Sequence, residues 1–325
     1  MESTFTATGR VPMPFGQILD RTYRLVRSNF WLLVKIALLP FGAFLLTYLF
    51  VGGCALLFLF HGHMTPPPDP RTILPFVFPL VLVVGLPMIA VFALYLAATV
   101  YAGMQADCGI RVPFSEAFSV ARSRASRYSL LLLWLYLRCF GPALLIDLAL
   151  VANVGMFGIA GQSPNPALFL LFPIEMLIYF VALIYGVFVA IQLSLAFPAC
   201  VREQLDVAAS CKRSRMLTAD AKGRIFLVLL VIYALCYVGF MVVFAVLALL
   251  TGIALFVVSL MHVHFVAPWS YIAIGALAIF AVSLFFVWTA IVYGSLATAM
   301  AVLYHDQRLR KDTPPLAPPP AALPV

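Results

Sequence analysis

Residues 225–260 read IFLVLLVIYALCYVGFMVVFAVLALLTGIALFVVSL, without one charged side chain. As a helix rising 1.5 Å per residue this run is about 50 Å long, whereas about 20 apolar residues already cross the hydrocarbon of a bilayer. Such a helix must tilt, kink or project beyond the lipid, yet it is too short to fold back into two spans. Immediately before it, 201–224 reads VREQLDVAASCKRSRMLTADAKGR and carries Arg202, Lys212, Arg213, Arg215, Lys222 and Arg224. A basic segment leading into a long apolar run is the pattern from which the rest of the chain is read.

Comparable apolar runs occur at about 32–60, 73–103, 129–158, 167–199 and 269–303, each sufficient for one crossing. Across its 325 residues the chain is 64% hydrophobic and 10% charged, with mean hydropathy +1.08. A soluble domain is about half apolar and about a quarter charged. A soluble core cannot hide this much apolar surface, whereas lipid can, provided every backbone polar group is paired within a helix. The expected fold is an all-α integral membrane protein with six transmembrane helices. Composition excludes a soluble enzyme, a secreted disulfide scaffold and a disordered chain. Pro79, Gly85 and Pro87 in the second run, Gly141-Pro142 in the third and Pro173 in the fourth are candidate kinks. Cys54, Cys108, Cys139, Cys200, Cys211 and Cys236 show no CxxC or metal spacing and read as small buried hydrophobes. Residues 1–30 lack the apolar core of a cleavable signal peptide. The proline-rich tail 313–325 is expected to be extended and solvated.

Loop charge sets the expected orientation. Arg10, Arg21, Arg24, Arg27 and Lys35 lie at the N-terminal end, and Arg111, Arg122, Arg124 and Arg127 lie between the second and third runs. With the six cations of 201–224 and Arg308, Arg310 and Lys311, they share one side of the membrane. The alternate loops hold Arg71, and Arg138 lies within a span. The positive-inside rule then places both termini in the cytoplasm.

The basic segments also form a pattern of their own. Projected on a helix, Phe15, Ile18, Leu19, Thr22, Tyr23, Leu25, Val26 and Phe30 fill an arc of about 160°, opposite Gln17, Asp20, Arg21, Arg24, Arg27 and Ser28. Pro14 precedes this segment and Pro113 precedes a second, in which Phe114, Ala117, Phe118, Ala121, Ala125 and Tyr128 lie opposite Arg122, Ser123, Ser126 and Arg127. A third and weaker copy, Asp206 to Thr218, precedes the fifth run. The starts are roughly 95 residues apart, which reads as three tandem units of amphipathic helix plus helical hairpin, at about 14–105, 113–200 and 206–304. These units form one membrane domain, 1–312. The short helices are expected in the cytoplasmic interface, with Arg21, Arg24, Arg27, Arg122, Arg127, Lys212, Arg213 and Arg215 toward anionic headgroups. The bland alternative is a simple extension of each span. A mitochondrial-carrier reading fails: Gly141-Pro142 is followed by Ala143-Leu144-Leu145, and the acidic-basic motif of carrier kinks occurs nowhere.

Three strings carry a resemblance: GQILDRTYRLVRSNFWLLVKIALLP (16–40), LAFPACVREQLDVAASCKRSRMLTADAKGRIFLVLL (195–230) and YHDQRLRKD (304–312). They resemble the bacterial glycerophosphoryl diester phosphodiesterase membrane-domain family. An Arg-Ser pair with a following Leu is matched by Arg213, Ser214 and Leu217, and a glutamate after the Pro-ended fourth span by Glu203. The tyrosine-led basic end is matched by Tyr304, Asp306, Arg308, Arg310 and Lys311. The resemblance implies a multi-pass module of a bacterial inner membrane without the catalytic barrel fused to some members, and hence no enzyme activity and no cofactor.

Few residues suggest chemistry. Arg138, Asp147 and Glu175 are ionisable groups inside apolar runs, where each costs at least about 2.5 kcal/mol unless it faces protein or water. They read either as a structural ion pair or as a polar site between spans 3 and 4. Counting depth from opposite ends pairs Glu175 with Arg138 or with Asp147. His61 and His63 end the first span and His262 and His264 the fifth, at equivalent positions of the repeat. Such a set suits copper or zinc, against ordinary interfacial histidines. No nucleophile motif, phosphate loop or aromatic-interleaved basic face is present, which argues against catalysis and nucleic-acid binding. The expected function is a non-enzymatic scaffold or accessory module contacting anionic membrane lipid, with a protein partner or a homo-oligomer as further candidates. The alternative is a transporter or channel for a small solute.

Overall fold

A computed structural model describes residues 13–61, 70–160, 166–260 and 267–312; within them, the side chains of 51–82, 149–172 and 254–279, and of a few single positions, lie outside the description. Among the described residues every regular element is a helix: α1 (Phe15–Ser28), α2 (Phe30–His61), α3 (Pro70–Asp107), α4 (Phe114–Ser123), α5 (Ala125–Ala160), α6 (Pro166–Leu193), α7 (Ala196–Glu203), α8 (Val207–Thr218), α9 (Lys222–Leu260) and α10 (Ala267–Asp312). Six helices are long and apolar enough to cross a membrane, with windows Phe30–Thr47, Val83–Asp107, Ala125–Leu148, Pro173–Glu203, Lys222–Ile253 and Ser283–Asp312. The chain is thus a multi-pass helical membrane protein. Most spanning helices begin or end several residues beyond the apolar runs, because nothing in the flanking polar sequence stops a helix until Asn29, Gly109, Gln204 or the Asp220 turn.

The first short helix ends sooner than the periodicity suggests. Asn29 leaves helical geometry, its side-chain amide donates to the Leu25 carbonyl at 3.0 Å, and α2 starts at Phe30. Phe30 and Tyr23, at the edges of the apolar arc, are consequently exposed, while Ile18 and Thr22 at its centre are buried. The starts of α1, α4 and α8 share one geometry. Pro14, Pro113 and Asp206 are extended, at φ −67°, −71° and −71° with ψ 162°, 157° and 167°. Their carbonyls accept the amides of Ile18, Ala117 and Ser210 at 3.3, 3.2 and 2.8 Å. In each case an extended residue sets the entry angle, with φ fixed by the ring at Pro14 and Pro113.

The described core lies at the end of the bundle that carries the short helices. α10 is its central helix, with 53% of its spanning window buried against 17–33% for the others. It packs on α3 through small residues. Gly103 meets the Thr298 backbone and Ala301, and Gly294 meets the Tyr95 hydroxyl. In lipid no hydrophobic force pulls two apolar helices together, so association depends on such close packing. The Thr99 and Thr298 hydroxyls in this interface are satisfied by the Tyr95 and Gly294 carbonyls at 2.8 and 2.9 Å, which leaves neither hydroxyl orphaned. α5 and α6 approach more closely still: a methyl group added at Gly186 would lie 2.3 Å from the Cys139 carbonyl oxygen. Pro142 and Pro173 are accommodated inside continuous helices, as is Pro40 in α2. Away from this core, Leu235, Val238, Val242 and Leu249 of α9 are exposed, as residues facing acyl chains should be.

Candidate functional site

Carboxylates, two of them buried (Asp107, Asp306) and one half-buried (Glu203), fasten the ends of α3, α7 and α10 to the short helices. Asp107 closes α3; its carboxylate is about 1% exposed and takes the Arg21 guanidinium of α1 and His305 Nδ1 of α10, the latter at 2.8 Å. Arg21 also donates to the Asp107 carbonyl at 2.8 Å. Glu203 closes α7 and accepts Arg213 of α8 at 3.1 Å and the Tyr304 hydroxyl of α10. Asp306 of α10 is fully buried. It accepts the Met13 amide at 2.8 Å and faces Arg310 at 3.0 Å and Arg224 at 3.4 Å. Both guanidiniums also donate to the Met13 carbonyl, Arg310 at 3.0 Å. A buried charge is tolerable only when paired and hydrogen-bonded, and each of these carboxylates is.

Outside this buried layer the pairs are more exposed. Arg213 bridges Glu203 to Asp312, the latter at 2.5 Å, and Lys311 reaches Asp220 at 2.9 Å. Burial opposes the Arg213 charge, but the Asp312 and Glu203 carboxylates outweigh it and hold the guanidinium above its ordinary range. Arg127 of α5 pairs with Asp206 at 3.3 Å and donates to the Gln204 carbonyl at 2.8 Å, holding the left-handed Gln204 turn between α7 and α8. Ser214 of α8 donates to the Gln192 carbonyl at 2.8 Å and accepts the Leu195 amide at 3.2 Å, which satisfies the break between α6 and α7. Of the residues that carried the family resemblance, Glu203, Arg213 and Tyr304 thus join α7, α8 and α10, Ser214 ties α8 to the α6–α7 break, and Asp306 with Arg310 ties α10 to Met13 and α9.

The basic residues expected at headgroups divide into two groups. Arg21, Arg127 and Arg213 are engaged by Asp107, by the exposed Asp206 and by Glu203 respectively. Arg24 pairs with Asp20 on the exposed face of α1 at 2.5 Å, and Arg27, Arg122, Lys212 and Arg215 are exposed. Two of these, Lys212 and Arg215, line an open groove of about 570 Å³ between α5 and α8, together with Trp134, Arg138, Val207, Ala208 and Cys211. Arg138 is exposed, and its guanidinium lies over the Trp134 ring, 5.4 Å from the centroid. The Cys211 thiol on the groove wall is pushed up from its ordinary range by burial, against the opposing pull of Arg215.

Arg138 does not share a site with Glu175. It adjoins Cys139, whose carbonyl faces Gly186. Glu175 lies about 16 Å farther along α6, too far for a direct bridge. Asp147, about 12 Å beyond Cys139 in the same direction, is the residue level with Glu175. Asp147 is exposed and Glu175 half-buried. A half-open cavity of about 160 Å³ between α3, α5, α6, α7 and α10 is lined mainly by apolar groups, among them Leu96, Leu135, Leu193 and Phe197. His63, His262 and His264 lie outside the described residues, as does the side chain of His61. Among the described residues no three His, Cys, Asp or Glu side chains gather as a metal site.

Sequence reasoning missed the roles of Asp107, His305 and Arg224. The usable signal was that an acid lies at or near the end of every even-numbered span that meets the short helices, at Asp107, Glu203 and Asp306, opposite segments rich in arginine. No protein-family profile, curated protein or solved structure matches the chain.

Proposed function

We propose that this chain is a non-catalytic accessory module of a bacterial cytoplasmic membrane. Both termini and the three short helices lie on the cytoplasmic side, and the module holds anionic lipid there as a platform for a protein partner or a second copy. The three units of short helix plus hairpin are read as tandem repeats, in keeping with the shared geometry at Pro14, Pro113 and Asp206. The observation that carries the reading is where the cations point. After Asp107, Asp206, Glu203 and Asp306 have taken Arg21, Arg127, Arg213 and Arg224, the remaining exposed charge is net basic and lies beside exposed apolar spans. Each Lys or Arg near an anionic leaflet contributes about 1 kcal/mol of attraction. Solute transport through Arg138 and Glu175 would need both on one polar internal path. Arg138 instead opens outward, and the cavity behind it is apolar.

The test is native mass spectrometry of the protein released from nanodiscs of mixed zwitterionic and anionic lipid, with metal analysis of the same sample. Retention of anionic lipid without metal or small solute is expected. A stoichiometric solute or metal ion, or retention without lipid selectivity, would overturn the reading.

A further inference from the structure

The groove between α5 and α8 gathers three cations and no carboxylate. Arg138 comes from α5, Lys212 and Arg215 from α8, and the carboxylate next in the chain, Asp206, is held by Arg127. None of the three cations makes an ion pair with a described carboxylate. Like charges brought together repel, and an anion seated among them offsets that cost. The volume of about 570 Å³ falls within the range of small-ligand sites, about 300–1,000 Å³. The groove is open, and around it the exposed side chains of Leu130, Leu137 and Met216 are apolar. An occupant therefore meets a charged floor and an apolar flank together. Trp134 completes this arrangement as an amphipathic ring of the kind that sits at headgroup depth.

We propose that this groove seats the phosphate headgroup of an anionic phospholipid from the cytoplasmic leaflet, with Arg138, Lys212 and Arg215 as its contacts and the acyl chains along the apolar flank of α5. The proposal rests on the lipid-binding module reading above and names the site within it. It also gives Arg138 a role that ion pairing with Glu175 cannot. Arginine is suited to it, since its planar fork can engage two phosphate oxygens at once while stacking on Trp134.

The experiment is titration of the purified protein, in neutral-detergent micelles, with dioctanoyl phosphatidylglycerol, dioctanoyl phosphatidylcholine and inorganic phosphate, read by calorimetry, with oligomeric state followed in parallel. The intact protein is expected to bind phosphatidylglycerol saturably and phosphatidylcholine at least about tenfold more weakly. Arg138→Gln, and separately the double variant Lys212→Gln/Arg215→Gln, are expected to weaken phosphatidylglycerol binding about tenfold or more, as loss of charge-assisted contacts requires. Lys212 and Arg215 are exposed, so the double variant keeps its fold should Arg138→Gln not. The control, Arg24→Gln/Arg27→Gln/Arg122→Gln, removes interfacial cations outside the groove and should weaken binding less than either groove variant. If inorganic phosphate binds as tightly as phosphatidylglycerol, or if the groove variants dissociate a dimer, the lipid assignment is overturned. If the intact protein binds phosphatidylglycerol but only the control variant loses it, the groove falls and the broader reading survives. If the intact protein shows no preference for phosphatidylglycerol, both fall.

Discussion

Replacing Asp306 by asparagine tests the buried end of the bundle most sharply, because the substitution keeps shape and removes charge. The asparagine side chain retains an oxygen for the Met13 amide, now 2.8 Å from Oδ1 of Asp306, so that hydrogen bond survives. What is lost is the anion between Arg310 at 3.0 Å and Arg224 at 3.4 Å. Breaking a buried pair costs about 3–5 kcal/mol because the remaining charge is stranded. That range is too high here. The Arg310 side chain is 36% exposed and can turn to water, and the Arg224 side chain is 22% exposed and still donates to the Met13 carbonyl. About 2–3 kcal/mol is expected, most of it from Arg224. The assay is reversible unfolding in mixed micelles with increasing denaturing detergent, comparing Asp306→Asn, Arg224→Leu and the double variant. The two single losses should fail to add, by about 1 kcal/mol or more. Asp20→Asn is the internal reference. It breaks the exposed Arg24 pair, whose side chains are 72% and 57% exposed, and should change stability by no more than about 0.5 kcal/mol. If Asp306→Asn costs no more than Asp20→Asn, the buried carboxylate does not fasten the bundle and the reasoning is wrong.

Three further outcomes are expected. Gly186→Ala forces a methyl to within 2.3 Å of the Cys139 carbonyl oxygen and should destabilise by about 1–3 kcal/mol in the same unfolding assay, while Gly141→Ala, which meets nothing within 4 Å, should be neutral or mildly stabilising; equal effects would contradict the close approach of α5 and α6. Ser214→Ala strands the buried Leu195 amide at the α6–α7 break and leaves the Gln192 carbonyl with only the Thr218 hydroxyl, and should cost about 1–3 kcal/mol, whereas Ser123→Ala, on the exposed end of α4, should cost less than about 0.5 kcal/mol. The Cys211 thiol, buried and with its ionisation pushed up, should alkylate with maleimide at neutral pH at least about tenfold more slowly in the folded protein than after unfolding; rapid labelling of the native state would show that the wall of the α5–α8 groove is looser than described.

Much of the architecture was legible because a bilayer restricts the options so strongly. Once 225–260 and its counterparts are read as apolar runs, helices follow, since lipid offers no partner for an unpaired backbone group. α1 was legible from its apolar arc. α8 was the weakest by periodicity for a physical reason: its buried face is Ser210, Cys211, Ser214, Leu217 and Thr218, and Ser214 and Thr218 bury by hydrogen-bonding to α6 rather than by hydrophobicity. The site was harder to read. Counting cations orients a chain but does not say which cation meets an acid of another segment. Arg21, Arg127 and Arg213 look like Arg24, Arg122 and Lys212 in sequence and differ only in what folds against them. Arg138 stands inside an apolar run. That α8 lies against this part of α5, and brings Lys212 and Arg215 to it, depends on the turn at Gln204, which no local pattern announces.

The proposed lipid contacts require the ion-paired end of the bundle to face the cytoplasm. Labelling with a membrane-impermeant maleimide tests this most directly, using single cysteines introduced into a cysteine-free variant at Ser123, on the exposed end of α4, and at Ser163, between α5 and α6. In intact spheroplasts Ser163→Cys should label and Ser123→Cys should label only after the membrane is opened. Labelling of Ser123→Cys from outside, with Ser163→Cys protected, would place the basic end in the wrong compartment and contradict the proposed function.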